Sequence, residues 1–106
     1  MARALIHLPP TPKRGEVIEI RTVIAHPMES GFRVDARGRV LPQNLIRRFT
    51  CRFNGELVFS AELFAAIAGN PYVAFHFAAT DDGMLRFDWE GDDGFAQSEV
   101  VALKLA

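Results

Sequence analysis

The sequence predicts an all-β fold, an immunoglobulin-like antiparallel β-sandwich of about seven strands with one short helix near residues 60–69. Three observations predict it. Apolar residues recur at every second position in several separate segments, the period of half-buried strands. Turn-forming pairs such as Asn54-Gly55 and Asn70-Pro71 divide those segments at short spacing. The 106 residues suffice for one hydrophobic core without covalent staples, so residues 1–106 are expected to form a single domain.

Taken in order, Arg3 to Leu8 is a short apolar run stopped by Pro9-Pro10, an edge strand followed by a bend. Glu16 to Ala25 carries the cleanest alternation, with Ile18, Ile20, Thr22 and Ile24 on one face and Glu19 and Arg21 on the other. Ile46 to Phe53 alternates again and points Phe49, Cys51 and Phe53 inward. Asn54-Gly55 is a strong hairpin signal, because a type I′ turn needs positive φ at both central positions, and it returns the chain through Glu56 to Phe59. From Ser60 to Gly69 the period changes: Leu63, Phe64, Ile67 and Ala68 suit one face of a short helix, capped by Ser60 and ended by Gly69. Tyr72 to Ala79 is apolar on both faces and is expected to be covered on both. Met84 to Glu90 places Leu85, Phe87 and Trp89 inward, and Phe95 to Leu105 places Val101, Leu103 and Leu105 inward. Glu99 falls on that inward face, so a bulge near Ser98 is expected to change the phase.

One stretch does not fit an ordinary sandwich. His26 to Arg48, HPMESGFRVDARGRVLPQNLIRR, puts about twenty residues between two strands, longer than the roughly 12 to 15 at which a connection without structure of its own becomes unusual. Asp35-Ala36-Arg37-Gly38 can turn tightly between Phe32–Val34 and Arg39–Leu41, and Pro27 and Pro42 stiffen the ends. Met28, Phe32, Val34, Val40 and Leu41 are too many apolar groups for an idle connection, and such a patch marks a protein partner.

Composition narrows the functional classes. The longest apolar runs are strand length, which excludes a membrane-spanning helix. Six of the twelve basic residues fall between Arg33 and Arg52, and seven of the thirteen acids between Asp81 and Glu99. The two groups are expected to pair across the sheet, and a net charge of -1 with no basic helix argues against nucleic acid. Cys51, the single cysteine, rules out an internal disulfide framework, and its place between Phe49 and Phe53 makes it a buried small hydrophobe rather than a nucleophile. His26 and Met28 with Cys51 resemble the donor set of a copper site, but no second histidine stands at a suitable spacing. His7 and His76 read as surface or strand-end histidines, and no glycine-rich phosphate loop precedes a helix. No catalytic residue, cofactor or metal is therefore expected. The sixteen residues that open the sequence are too short in apolar length for a secretory signal, so on residues alone the chain is expected in the cytoplasm.

The run HPMESGFRVDARGRVLPQNLIRRFTCRFNG, followed by VFSAELFAAIAGNPYVAFHF and LRFDWEGDDG, resembles the SoxZ family, the Z subunits of the sulfur-oxidising SoxYZ carrier complex. The similarity extends to R-A-L-I-H-L-P and K-R-G-E-V-I-E-I, and so to nearly the whole chain. It implies a non-catalytic subunit that pairs with SoxY, whose flexible C-terminal tail bears the cysteine carrying thiosulfate-derived sulfur. This chain ends A-L-K-L-A and is expected to be the holder of that arm, presenting its sulfur intermediates transiently to other Sox proteins. The resemblance also implies a periplasmic home reached by export together with SoxY, in place of the cytoplasm. His26, Met28, Glu29, Phe32 and Arg33 are the expected partner-binding residues. A homodimer is expected when the partner is missing, and an immunoglobulin-like binding module unrelated to sulfur is the alternative reading.

Overall fold

Alternating residues form strands here because one side of each is drawn from water. The computed structural model describes residues 3–64 and 67–106. It contains β1 (Ala4–His7), β2 (Glu16–Ile24), β3 (Ile46–Phe53), β4 (Glu56–Glu62), β5 (Tyr72–Ala79), β6 (Gly83–Gly91) and β7 (Ala96–Leu103), with a 3-10 turn at Asp92–Gly94. One antiparallel sheet has the order β1-β2-β5 and the other β4-β3-β6-β7. The chain crosses between sheets after β2, after β4 and after β5, which is the immunoglobulin-like sandwich predicted.

The inward sets are those the alternation identified. Ile18, Ile20, Thr22 and Ile24 of β2 meet Phe49 and Cys51 of β3 and Leu85, Phe87 and Trp89 of β6 in one core. Phe49 is its hub, 5.2 Å from Trp89, 6.2 Å from Phe87, 6.1 Å from Phe59 and 6.2 Å from Phe75 between ring centroids. Phe59 and Phe75 stack at 4.3 Å and tie the two sheets together. Asn54 (φ 48°) and Gly55 (φ 86°) supply the two positive φ values of the β3–β4 hairpin.

Three expectations are corrected. Ser60 to Glu62 belongs to β4, and Leu63, Phe64 and residues 67–69 are not helical; residues 65 and 66 of the expected helix lie outside the described residues. The reason is pairing: Arg48, Phe49 and Thr50 of β3 stand opposite Glu62, Ala61 and Ser60, and the Leu63 N–H donates to the Arg47 carbonyl at 3.0 Å. Ladder bonds to a neighbour already in place outweigh the weak helical preference of a two-turn segment. Likewise β7 runs without a bulge, its register with β6 continuous from Ala96 to Leu103. Gln97 and Glu99 do face inward, and the Gln97 amide donates to Glu99 Oε1 at 3.1 Å, so the edge strand satisfies its own polar groups. The register shifts lie in β3, between Cys51 and Arg52 against β4 and between Ile46 and Arg48 against β6.

The expected charge pairing is realised at Arg47–Asp92 (2.9 Å), while Arg33 pairs with Glu29 and Arg86 with Asp88 inside their own segments. Strand β5 is covered on one face alone, since Tyr72, Ala74 and His76 are exposed.

Truncating the side chain that fills the centre of β6 tests the core. Trp89→Ala is expected to cost roughly 3 to 5 kcal/mol, read as a lower midpoint in chemical denaturation; an unmoved midpoint would place Trp89 outside the core.

Candidate partner interface

The long connection folds into a paired arm. Asp35 accepts at Oδ1 from the N–H groups of Arg37 (2.8 Å) and Arg39 (3.0 Å), and its own N–H donates to the Arg39 carbonyl at 2.8 Å. These bonds set the turn that the sequence places at Asp35–Gly38. Val34 bridges Val40 beneath it, and Glu29 bridges Asn44 through two 2.8 Å backbone bonds nearer the body. Gly31, with φ at 88°, lets the outgoing limb lie against Gln43, whose side chain a Cβ would meet at 3.1 Å. The molecule measures 57 × 20 × 20 Å. A nine-residue strand accounts for about 30 Å of that length.

The root of the arm is built into the core. The His26 N–H donates to Asn70 Oδ1 at 3.0 Å, and the Asn70 N–H returns a bond to the His26 carbonyl at 2.7 Å. Met28 has φ at 49°, a left-handed conformation rare for its type, which turns its side chain beneath the arm. There its Sδ accepts the Ile46 N–H at 3.2 Å. On the returning limb Asp92 accepts from the Leu45 N–H at 3.0 Å, donates its own N–H to the Leu45 carbonyl at 2.8 Å, and takes the Arg47 guanidinium at 2.9 and 3.2 Å. Arg47 also donates to Gln43 Oε1 at 2.8 Å, and Gln43 donates to the Ser30 carbonyl at 3.1 Å. Gly91 permits this closure, since a Cβ there would come within 2.3 Å of the Leu45 carbonyl oxygen.

The five expected contact residues therefore divide. Phe32 is 85% exposed and Arg33 stands out beside it, both as a contact surface requires. Glu29 is largely covered and holds Arg33 at 2.6 Å, which keeps its carboxyl below the usual range and raises the guanidinium. His26 and Met28 are buried, 6% and 5% exposed, so they position the arm and offer no free surface. Sequence reasoning missed Asn70 and Asp92 as anchors. Asn70 read as a turn former before Pro71 and Asp92 as one of the acids that pair across the sheet, although the glycine on each side of Asp92-Asp93 signalled a tight corner.

His26 carries an electrostatic consequence. Its Nδ1 accepts the Met28 N–H at 3.0 Å, which assigns the neutral tautomer with the proton on Nε2, and its ring meets Phe95 edge-on at 4.9 Å. Burial lowers its pKa below the ordinary 6.5, against the opposing pull of Asp92. Cys51 is also buried, and burial, with the Asp88 carboxylate adding to it, pushes the thiol up to about 12. Among the described residues no three His, Cys, Asp or Glu side chains group closely enough to hold a metal, and no helix is long and apolar enough to cross a membrane.

Comparison with known proteins identifies the family. The family model described as sulphur oxidation protein SoxZ matches residues 6–102. This chain belongs to the SoxZ family. Membership gives it a role in sulfur oxidation and implies a Sox partner protein. No curated protein matches it. Among solved structures it is similar to a superoxide reductase (neelaredoxin) from Ignicoccus hospitalis, with a TM-score of 0.75 and 17% identity over 97% of this chain and 80% of that one. It is also similar to a CARDB domain from Pyrococcus furiosus solved with di-metal ions, with a TM-score of 0.53 and 14% identity over 100% of this chain and 94% of that one. At such identities the likeness shows a shared sandwich fold and nothing of metal or reaction.

Two measurements check this geometry. A buried histidine whose pKa is depressed on folding makes stability rise with pH, complete above its ordinary 6.5 and lost as pH falls below it. Glu19, Glu29 and Asp92, also depressed, lose their contributions below their ordinary 4.5, 4.5 and 3.8, outside that window. Denaturant stability should fall between about pH 7.5 and about pH 5.5 in the native chain and stay level in His26→Asn, which keeps an acceptor without a titrating ring. For Cys51, a thiol reagent at about pH 8 should label the protein after unfolding and leave the folded form untouched; rapid labelling of the folded protein would contradict the buried position.

Proposed function

We propose that this SoxZ-family chain is the docking subunit of a SoxYZ carrier, binding SoxY through its arm. It would thereby help present SoxY's cysteine-bound sulfur intermediates to other Sox proteins during thiosulfate oxidation. The observation that carries the reading is the arm: a paired projection with Phe32 in water at its side and its root held by buried acceptors. Apolar side chains held out on a pre-ordered element favour association, because little chain entropy remains to be lost on binding. The chemistry of the one cysteine in the sequence points the same way. A buried thiol pushed up to about 12 is a poor nucleophile towards species in solution, which suits a cargo carried on the partner. Phe32 is assigned the apolar contact and Arg33, steadied by Glu29, the charged one at its rim. We place this pairing in the periplasm, reached by export with the signal-bearing SoxY.

Co-expression of the chain with a signal-bearing SoxY tests all of this at once. The expected result is a complex recovered from the periplasmic fraction as one size-exclusion peak, weakened roughly ten-fold or more by Phe32→Ala and less by Arg33→Ala. Undiminished pairing and sulfur turnover in the double variant would remove the arm from the interface.

A further inference from the structure

The open face of the three-stranded sheet lies at the same end as the arm. Leu5, Val23 and Tyr72 stand directly opposite one another across β1, β2 and β5, a continuous apolar row on its outer side. Leu5 is 56% and Tyr72 62% exposed. Two shallow hollows flank the row, about 280 Å³ towards His7 and Arg21 and about 330 Å³ towards Arg3, Ala25 and Asn70. Leu5 and Val23 line both, so the hollows adjoin, and the second ends at Asn70, the residue that pins the arm through His26.

Area and charge decide what covers this face. Strands of four, nine and eight residues, at about 4.8 Å spacing and about 3.3 Å rise, present on the order of 300 Å² in projection. A stable interface takes about 800 Å² from each partner. The face alone falls short, and the exposed Phe32, Val34 and Val40 of the arm supply further apolar contact from the same end. Around this surface Arg3, Arg21, Arg33, Arg37 and Arg39 outnumber Glu19, Glu29 and Asp35 by five to three. Glu19 is paired with Arg21 and Glu29 with Arg33, whereas Arg3, Arg37 and Arg39 make no ion pair among the described residues. A second copy of this chain, meeting the same face by a two-fold axis, would set that positive excess against itself.

We infer that the outer face of the three-stranded sheet and the arm form one two-part seat, taking an apolar surface with an acidic rim on the heterologous partner subunit. The inference rests on the pairing proposed above and adds to it a second contact region, at Leu5, Val23 and Tyr72, and the charge of the partner's rim.

The test titrates purified SoxY against the full chain and three variants, all confirmed folded by circular dichroism. Tyr72→Glu should weaken binding roughly ten-fold or more, and Leu5→Ser several-fold. Val100→Thr, on the outer face of the other sheet, should bind as the native chain does. Raising salt from about 0.05 to about 0.5 M should slow association of the native pair several-fold. Native binding that Tyr72→Glu and Leu5→Ser leave intact overturns the two-part seat while the pairing stands. Binding that salt leaves unchanged overturns the acidic rim. Failure of the native chain to bind SoxY overturns the pairing itself. A homodimer that Tyr72→Glu disperses, with SoxY affinity unaltered, assigns the face to a second copy and overturns the inference.

Discussion

The arm depends on a closed set of bonds at its root, and it could not project as one piece without them. Its two limbs leave the sandwich where β2 ends and β3 begins, on opposite sheets. Each limb is fixed by a reciprocal pair of bonds to an element outside the arm, His26 with Asn70 and Leu45 with Asp92. Between them Met28 Sδ and His26 Nδ1 accept backbone N–H groups that would otherwise be buried without partners. An unsatisfied buried N–H costs about 1 to 3 kcal/mol. Each substitution at the root therefore acts on the arm's position before it alters any surface.

This gives the chemistry-bearing residue types at the root a structural use. The imidazole and the thioether there are used as hydrogen-bond acceptors of the right size for a crowded corner, with backbone amides, Phe95 and the Asp92 carboxylate for neighbours. The thiol sits elsewhere, in the aromatic layer beside Phe49 and Phe87. A copper-like composition in the sequence thus resolves into two separate structural uses.

The strands were legible because a period of two is imposed by the backbone wherever one side is buried, and β2 and β6 obey it throughout. The expected helix was not, because Leu63, Phe64, Ile67 and Ala68 show helical spacing over a length too short to decide, while β3 was already offering a ladder to Ser60–Glu62. The phase of β7 misled for a different reason. A glutamate pointing inward looks prohibitive until Gln97 is seen to bond it. In the arm, the turn residues and the surplus of apolar groups were readable, but the facing of each side chain was not. An irregular segment has no period, and a single left-handed residue, Met28, sends its side chain inward where a count of apolar residues would place it on the surface. The exposed row Leu5–Val23–Tyr72 was hidden because it is assembled from three distant strands, and the alternation that betrays an inward face treats the outward one as solvent.

The physical case for a passive platform follows from where rigidity is placed. Backbone pairing, buried acceptors and the Asp92–Arg47–Gln43–Ser30 relay order the arm in the free protein, so its docking forgoes most of the ordering cost that a flexible loop would meet. Cys51 and His26 are both buried, and burial favours the neutral form of each. What remains free at this end is apolar area and positive charge, the two properties by which one protein surface selects another.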